Sequence, residues 1–252
     1  MSFSVAADDY DRFMGRYSVP LAERFANFAG VATGGTALDV GCGPGALTRE
    51  LVNRLGPDAV TAVDPSESFV AAATERLPGV SVQAAAAEQL PFADGRFDVA
   101  LAQLVVHFMS DPNAGLREMR RVTRPGGTVA ACVWDHAGGR GPLSPLWDAA
   151  RELDSGVEGE SGLAGARHGH LAELFEAAGL HEIYAGVLEV EIQHPTFEEW
   201  WEPFTLGVGP AGGYVMGLDP QQRERLKVRC RERLPPAPFT LSARAWSARA
   251  LV

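Results

Sequence analysis

The chain has 252 residues, 46% of them apolar, and a formal net charge of −10. That length and apolar share suit one large α/β domain with a sizeable core, and the acidic balance excludes the basic footprint of a nucleic-acid binder. The three cysteines, Cys42, Cys132 and Cys230, are far apart and form no CxxC pair, which argues against a disulfide frame or zinc site and for a reducing, cytoplasmic setting. The first residues carry neither a basic n-region nor an apolar h-region, so no signal peptide is expected. No run of about 18 apolar residues occurs, so no membrane span is expected.

Residues 8–30 read as a helix, with Leu21, Phe25 and Phe28 at helical spacing and Ser18 and Pro20 suited to an N-cap region. Residues 36–40 form a short apolar strand running into glycines. Leu47, Leu51 and Leu55 mark one helix face that ends near Gly56-Pro57. A second buried strand, 59–63, closes on Asp64-Pro65 and is followed by a helix over 66–77. Strands are expected at 80–84 and 97–102, and a helix opens at Pro112 with Leu116, Met119 and Val122 on its buried face. Arg124-Pro125-Gly126-Gly127 reads as a turn before a fifth strand, 128–134. Strands alternating with helices in this way imply a parallel, doubly wound sheet.

Beyond residue 138 the chain is richer in Gly, Ser and Pro. One helix is expected at 146–153, followed by a flexible stretch, 154–167. A helix over 170–178 with Gly179 at its C-terminal end, a strand at 183–192, and helices at 197–204 and 220–234 follow. The glycine run 207–213 reads as a lid or a loop. The last strand, 239–251, is expected to be antiparallel and at or near a sheet edge. The whole is one domain, 1–252. Within it, 8–30 is an N-terminal helical lid, 34–135 the nucleotide-binding core, 136–169 a loop and helix insertion, 196–235 a helical cap, and 238–251 the last strand.

The chemistry lies in Asp39-Val40-Gly41-Cys42-Gly43-Pro44-Gly45. Glycines between a strand and a helix permit a tight turn and let a ligand lie against bare backbone, with the helix N-terminus beyond. Asp64, at the end of the next strand, stands where a ribose hydroxyl is bound in such folds. A dinucleotide turn needs G-x-G-x-x-G; here the spacing is G-x-G-x-G with Asp39 two positions before the first glycine. A carboxylate there repels a pyrophosphate and suits a cationic ligand such as S-adenosylmethionine, with its ammonium and sulfonium.

On these residues, with Leu90-Pro91-Phe92, Phe97-Asp98-Val99 and Arg124-Pro125-Gly126-Gly127, the sequence resembles the class I S-adenosylmethionine-dependent methyltransferases of small molecules. It is similar to the ubiquinone/menaquinone-biosynthesis-like branch. The resemblance implies a Rossmann-like, seven-stranded, mostly parallel sheet with an antiparallel last strand and a small helical cap. It also implies methyl transfer from S-adenosylmethionine, leaving S-adenosylhomocysteine.

By the same resemblance Gly41, Cys42 and Gly43 contact the methionine part of the cofactor and Asp39 its ammonium end. Asp64 takes the ribose hydroxyls, Pro65 lies against the adenine, Ala87 and Glu88 frame the adenine edge, and Gln103 faces the methionine moiety. Tyr10 and Arg16, in a leading helix that folds over the cofactor, reach for its carboxylate. One departure stands at Ala86, where relatives usually carry an Asp that accepts from the adenine amino group.

Positioning supplies most of the rate of such a transfer, and a general base is needed only for a protonated acceptor. His107, in the loop after the fourth strand, is the candidate base; the competing reading is a packed histidine. His136 faces the same crevice or is a solvated loop residue. His168-Gly169-His170 lacks further ligands at suitable spacing, so no metal is expected.

The partner is therefore expected to be a small-molecule methyl acceptor, with no nucleic acid, and the chain a monomer or homodimer. An amino-methylating nucleic-acid enzyme would carry Asn/Asp-Pro-Pro-Tyr/Phe where this chain has Ala102-Gln103-Leu104-Val105. A cytosine-methylating one would carry a Pro-Cys pair, which is absent. The remaining rivals are a non-catalytic S-adenosylmethionine binder and, against the glycine spacing, a nicotinamide-dependent oxidoreductase.

Overall fold

The computed structural model describes residues 7–252; the reading of a missing leader rests partly on residues 1–6, outside them. The elements in chain order are α1 (Ala7–Tyr10), α2 (Arg16–Phe28), β1 (Ala37–Val40), α3 (Ala46–Leu55), β2 (Val60–Asp64), α4 (Glu67–Arg76), β3 (Ser81–Ala84), β4 (Phe97–Gln103), α5 (Pro112–Val122), β5 (Thr123–Trp134), α6 (Ser144–Leu153), α7 (His170–Ala177), β6 (His181–His194), α8 (Phe197–Trp201), α9 (Gly209–Gly217), α10 (Pro220–Arg233) and β7 (Phe239–Leu251). No described helix is long and apolar enough to cross a membrane.

The seven strands form one sheet in the order β3-β2-β1-β4-β5-β7-β6. All are parallel except β7, which runs antiparallel between β5 and β6. The central strands β1 and β2 are buried along their whole length, as apolar runs covered on both faces must be. Alternation divides their side chains between two cores. Leu101, Cys132 and Trp134 join the layer of α2, α3 and α6. Leu38, Val40, Ala100 and Val133 join the layer of α5 and α7. The sheet order reverses beside β1 and β4, which opens a crevice at the carboxyl ends of these strands.

The structure amends four local expectations. The leading helix is continuous through Ser18 and Pro20, with a π-helical turn at Asp11–Gly15 between α1 and α2. Ser18 does not cap; its hydroxyl donates to the Met14 carbonyl one turn back at 3.1 Å. The turn at 124–127 is a bulge within β5: β4 advances from Phe97 to Val99 while its partner advances from Thr123 to Thr128. Residues 154–167 are anchored, because Glu160 is buried and accepts from Trp147 Nε1–H at 2.8 Å. The glycine run at 207–213 leads into α9, whose Ala211, Gly212 and Val215 are buried.

Candidate functional site

The turn after β1 owes its course to its glycines. Gly41, Gly43 and Gly45 all have positive φ, at 71°, 52° and 99°, a region L side chains rarely adopt. Two of these positions are also sterically closed. A Cβ on Gly41 would lie 2.5 Å from both methyls of Val105, and one on Gly45 would lie 2.8 Å from Leu77 Cδ1. The N–H groups of Gly41 and Cys42 donate to the Val63 carbonyl at 2.8 and 3.0 Å. Gly43 N–H donates to Asp64 Oδ2 at 2.9 Å. The N–H groups of Gly41, Cys42 and Gly43 are thus spent on β2, and the glycines serve to clear space and fix direction.

Asp64 closes this arrangement. Its other oxygen accepts from Ser66 N–H at 2.8 Å, at the start of α4. Burial raises its pKa, against the pull of these two backbone donors. Each oxygen retains lone-pair capacity for a hydroxyl donor.

Tyr10, Gly41, Gly43, Asp64 and Pro65 line one side of a crevice of about 880 Å³, open mouth included. Ala86, Ala87, Glu88 and Gln103 line the other. The structure therefore brings eight of the residues expected to bind the cofactor, and Ala86 with them, into one site. Gln103 Nε2–H donates to the Ser18 carbonyl at 3.0 Å, coupling the leading helix to the end of β4. Its buried Oε1 has no partner among the described residues. Glu88 Oε1 accepts from Ser110 N–H at 2.7 Å and Asp111 N–H at 3.2 Å, so it also shapes the loop that forms the far wall.

Three expected residues stand elsewhere. Arg16 donates to His194 Nδ1 at 3.0 Å and to the Glu199 carbonyl at 3.2 Å. These partners, on β6 and α8, hold it away from the crevice. The neutral His194 ring then carries its proton on Nε2, which donates to Tyr17 Oη at 3.1 Å. Cys42 packs behind the turn with Ala62 and Ala73, where burial pushes its thiol up. Asp39 is buried and bound by Thr48 of α3, whose hydroxyl donates at 2.6 Å. Its Oδ1 has no partner among the described residues, and burial pushes its pKa up to about 7.

His107 lies on a single 3-10 turn, Val106–Phe108, after β4. It lines a second, smaller cavity that encloses about 30 Å³ and shares Tyr10, Leu104 and Phe108 with the crevice. Leu104, at φ 61°, is one of two described non-glycine residues in the left-handed region, a conformation that clusters at ligand sites. His136 and Glu160 line the same cavity. Sequence reasoning missed Glu160, because nothing in a Gly/Ser-rich stretch signals a buried acid. It also missed Phe69 and Val105. The first carries a signal in hindsight, one turn into α4 and edge-on to Tyr10 at 5.2 Å.

Residues 38–131 match the family model described as a methyltransferase domain. Over these residues the chain is similar to that domain. The match upholds the resemblance read from the glycine turn, Asp64 and the 124–127 motif. The malonyl-[acyl-carrier protein] O-methyltransferase of Erwinia billingiae is 34% identical over 128 residues, 51% of this chain and 50% of that protein. The ubiquinone/menaquinone biosynthesis C-methyltransferase of Bdellovibrio bacteriovorus is 33% identical over 135 residues, 50% of this chain and 57% of that protein. The crystal structure of an S-adenosylmethionine-dependent methyltransferase from Aquifex aeolicus superposes with a TM-score of 0.52 at 26% identity. It covers 70% of this chain and 87% of that one. The chain spans about half the length of these two curated relatives. The matched residues hold the crevice floor and most of its walls, and Tyr10 reaches it from outside them.

Proposed function

We propose that this chain transfers the methyl group of S-adenosylmethionine to a small-molecule acceptor. One observation carries the reading. The acid at the end of β2 and the glycine turn after β1 share a crevice with Gln103 Oε1, and among the described residues no lysine or arginine lines it. Such a site is hostile to a pyrophosphate and receptive to a cation with ribose hydroxyls.

The residues present fit that cofactor. Asp64 would accept from the ribose hydroxyls with the lone pairs its backbone donors leave. Gln103 Oε1 and, behind the turn, the buried Asp39 carboxylate favour positive charge at the methionine end. Ala87 and Pro65 would frame the adenine, with Ala86 supplying backbone contact alone. When bound, S-adenosylmethionine supplies an electrophilic methyl group on sulfur. The chain's contribution is then to align the acceptor and exclude water. His107 stands beside the crevice as the group able to hold or take a proton from the acceptor. Glu160, Gly209 and Pro210 reach the second cavity from the segment 144–233, and we read that segment as the part that selects the acceptor.

Radiolabelled methyl-S-adenosylmethionine offered with quinols, phenols, fatty acids and amines tests the reading. Transfer to one of these classes is expected. Absence of S-adenosylmethionine binding would defeat it.

A further inference from the structure

The wall that Tyr10 gives the crevice is held from outside it. α1 buries none of its residues. The π-helical turn that follows buries Phe13 and Met14, and α2 buries Leu21 and Phe25 completely. Apolar burial thus fixes the chain from Phe13 onward and does little for the residues before it.

The helix α4 grips those residues. Arg76, in its last turn, donates through Nη1 to Asp11 Oδ2 and through Nη2 to Asp8 Oδ1, both at 2.6 Å. Phe69, about two helical turns earlier on the same face of α4, meets the Tyr10 ring edge-on. The ring then lies over the glycine turn: a Cβ on Gly43 would stand 4.0 Å from Tyr10 Cε1. Tyr10 lines both the crevice and the smaller cavity, while Arg76 lines neither.

Resting on the methyltransferase reading, we propose that Arg76 is the catch of a strap. By gripping Asp8 and Asp11 it holds Tyr10 over the crevice and sets how fast S-adenosylhomocysteine leaves. It is a positioning residue, acting on the site through α1.

The construction suits a catch better than a fixed strut. One guanidinium serves both acids through different nitrogens, so both bonds are made or lost as α1 moves. The acids are one helical turn apart and face the same way. The pairs lie at the surface, with the side chains of Arg76, Asp8 and Asp11 exposed by 26%, 89% and 41%. Such pairs are weak and are screened by salt. The backbone on which α1 would swing begins at Asp11, in a π-helical turn, a rare geometry that concentrates at functional sites. Arg12 and Glu202 add a looser pair at 3.8 Å between the same segment and the end of α8, too long and too exposed to act as a second catch.

The test is displacement of radiolabelled S-adenosylhomocysteine from the full chain by excess unlabelled compound, at about 0.05 M and about 1 M salt. Arg76→Ala should release it about three- to tenfold faster at low salt, the scale of two surface ion pairs. High salt should quicken wild-type release by a similar factor and leave Arg76→Ala unchanged. Arg76→Lys, which keeps the charge without the fork, should fall between. Asp8→Asn with Asp11→Asn should match Arg76→Ala, and adding Arg76→Ala to that pair should change nothing further. Arg12→Ala should stay within about twofold of wild type. Release indifferent to Arg76, a salt response kept in Arg76→Ala, or an equal effect from Arg12→Ala would overturn the proposal. Those results overturn this inference alone; a wild-type chain that takes up no S-adenosylhomocysteine overturns the methyltransferase reading with it.

Discussion

The carboxylate of Asp64 accepts from the backbone N–H of Gly43 at 2.9 Å, so the acid that ends β2 holds the glycine turn that follows β1. One residue thereby ties the ends of β1 and β2 together and, on the proposed function, offers its remaining lone pairs to the ribose. Asp64→Ala should weaken S-adenosylhomocysteine binding about 10- to 100-fold, the scale of one or two hydrogen bonds to a charged group. Asp64→Asn should fall between, since its amide oxygen can still accept from Gly43. Calorimetry measures both. Unchanged affinity in Asp64→Ala, with melting unchanged, would remove Asp64 from the site.

The glycine at position 41 is required for two separable reasons. Its φ of 71° strains any side chain, and the Cβ would meet both methyls of Val105 at 2.5 Å. Gly41→Ala should therefore lose about 1–3 kcal/mol in urea unfolding. Val105→Ala in the same chain should restore the steric part and leave the strain. A double variant no more stable than Gly41→Ala would show that the contact with Val105 is immaterial.

Asp39 gives the fold a pH dependence of unusual sign. Its folded-state pKa is pushed up to about 7 by burial, from an ordinary value of 3.8. Between these values Asp39 binds more proton in the native state than in the unfolded chain, so its contribution to stability falls as pH rises. The slope is bounded by about 1.4 kcal/mol per pH unit. Glu160, raised to about 7 in the same way, adds to it. Buried His136 and His194, lowered to about 4, pull the other way, so Asp39→Asn should make the slope of stability against pH more positive between pH 4 and pH 7. Urea melts across that range measure this; an unchanged slope in Asp39→Asn would mean that Asp39 is not the buried acid responsible.

Much of this was legible beforehand, because parallel strands and a glycine turn announce themselves locally. Buried runs such as residues 60–64 have no other use than a sheet centre, and the final strand's alternation placed Phe239–Leu251 correctly. The crevice followed from the same features, since sheet order alone brings the ends of β1, β2 and β4 together. What escaped notice depends on long-range packing. The sequence offers Arg16 as a cofactor ligand, but His194 and the Glu199 carbonyl, distant in the chain, occupy its guanidinium. Glu160 carries no local signal; only the fold of 154–167 onto Trp147 buries it. The Gly/Pro run before Tyr214 looked like a loop, yet α9 forms there because Ala211 and Val215 find a core.

The central claim is that the glycine turn and Asp64 bind a cationic sulfur nucleoside and reject a pyrophosphate. Titration of the wild-type chain with S-adenosylmethionine, S-adenosylhomocysteine and NADH tests it directly. The account predicts saturable binding of both sulfur compounds and none of NADH. Binding of NADH with neither sulfur compound taken up would contradict it.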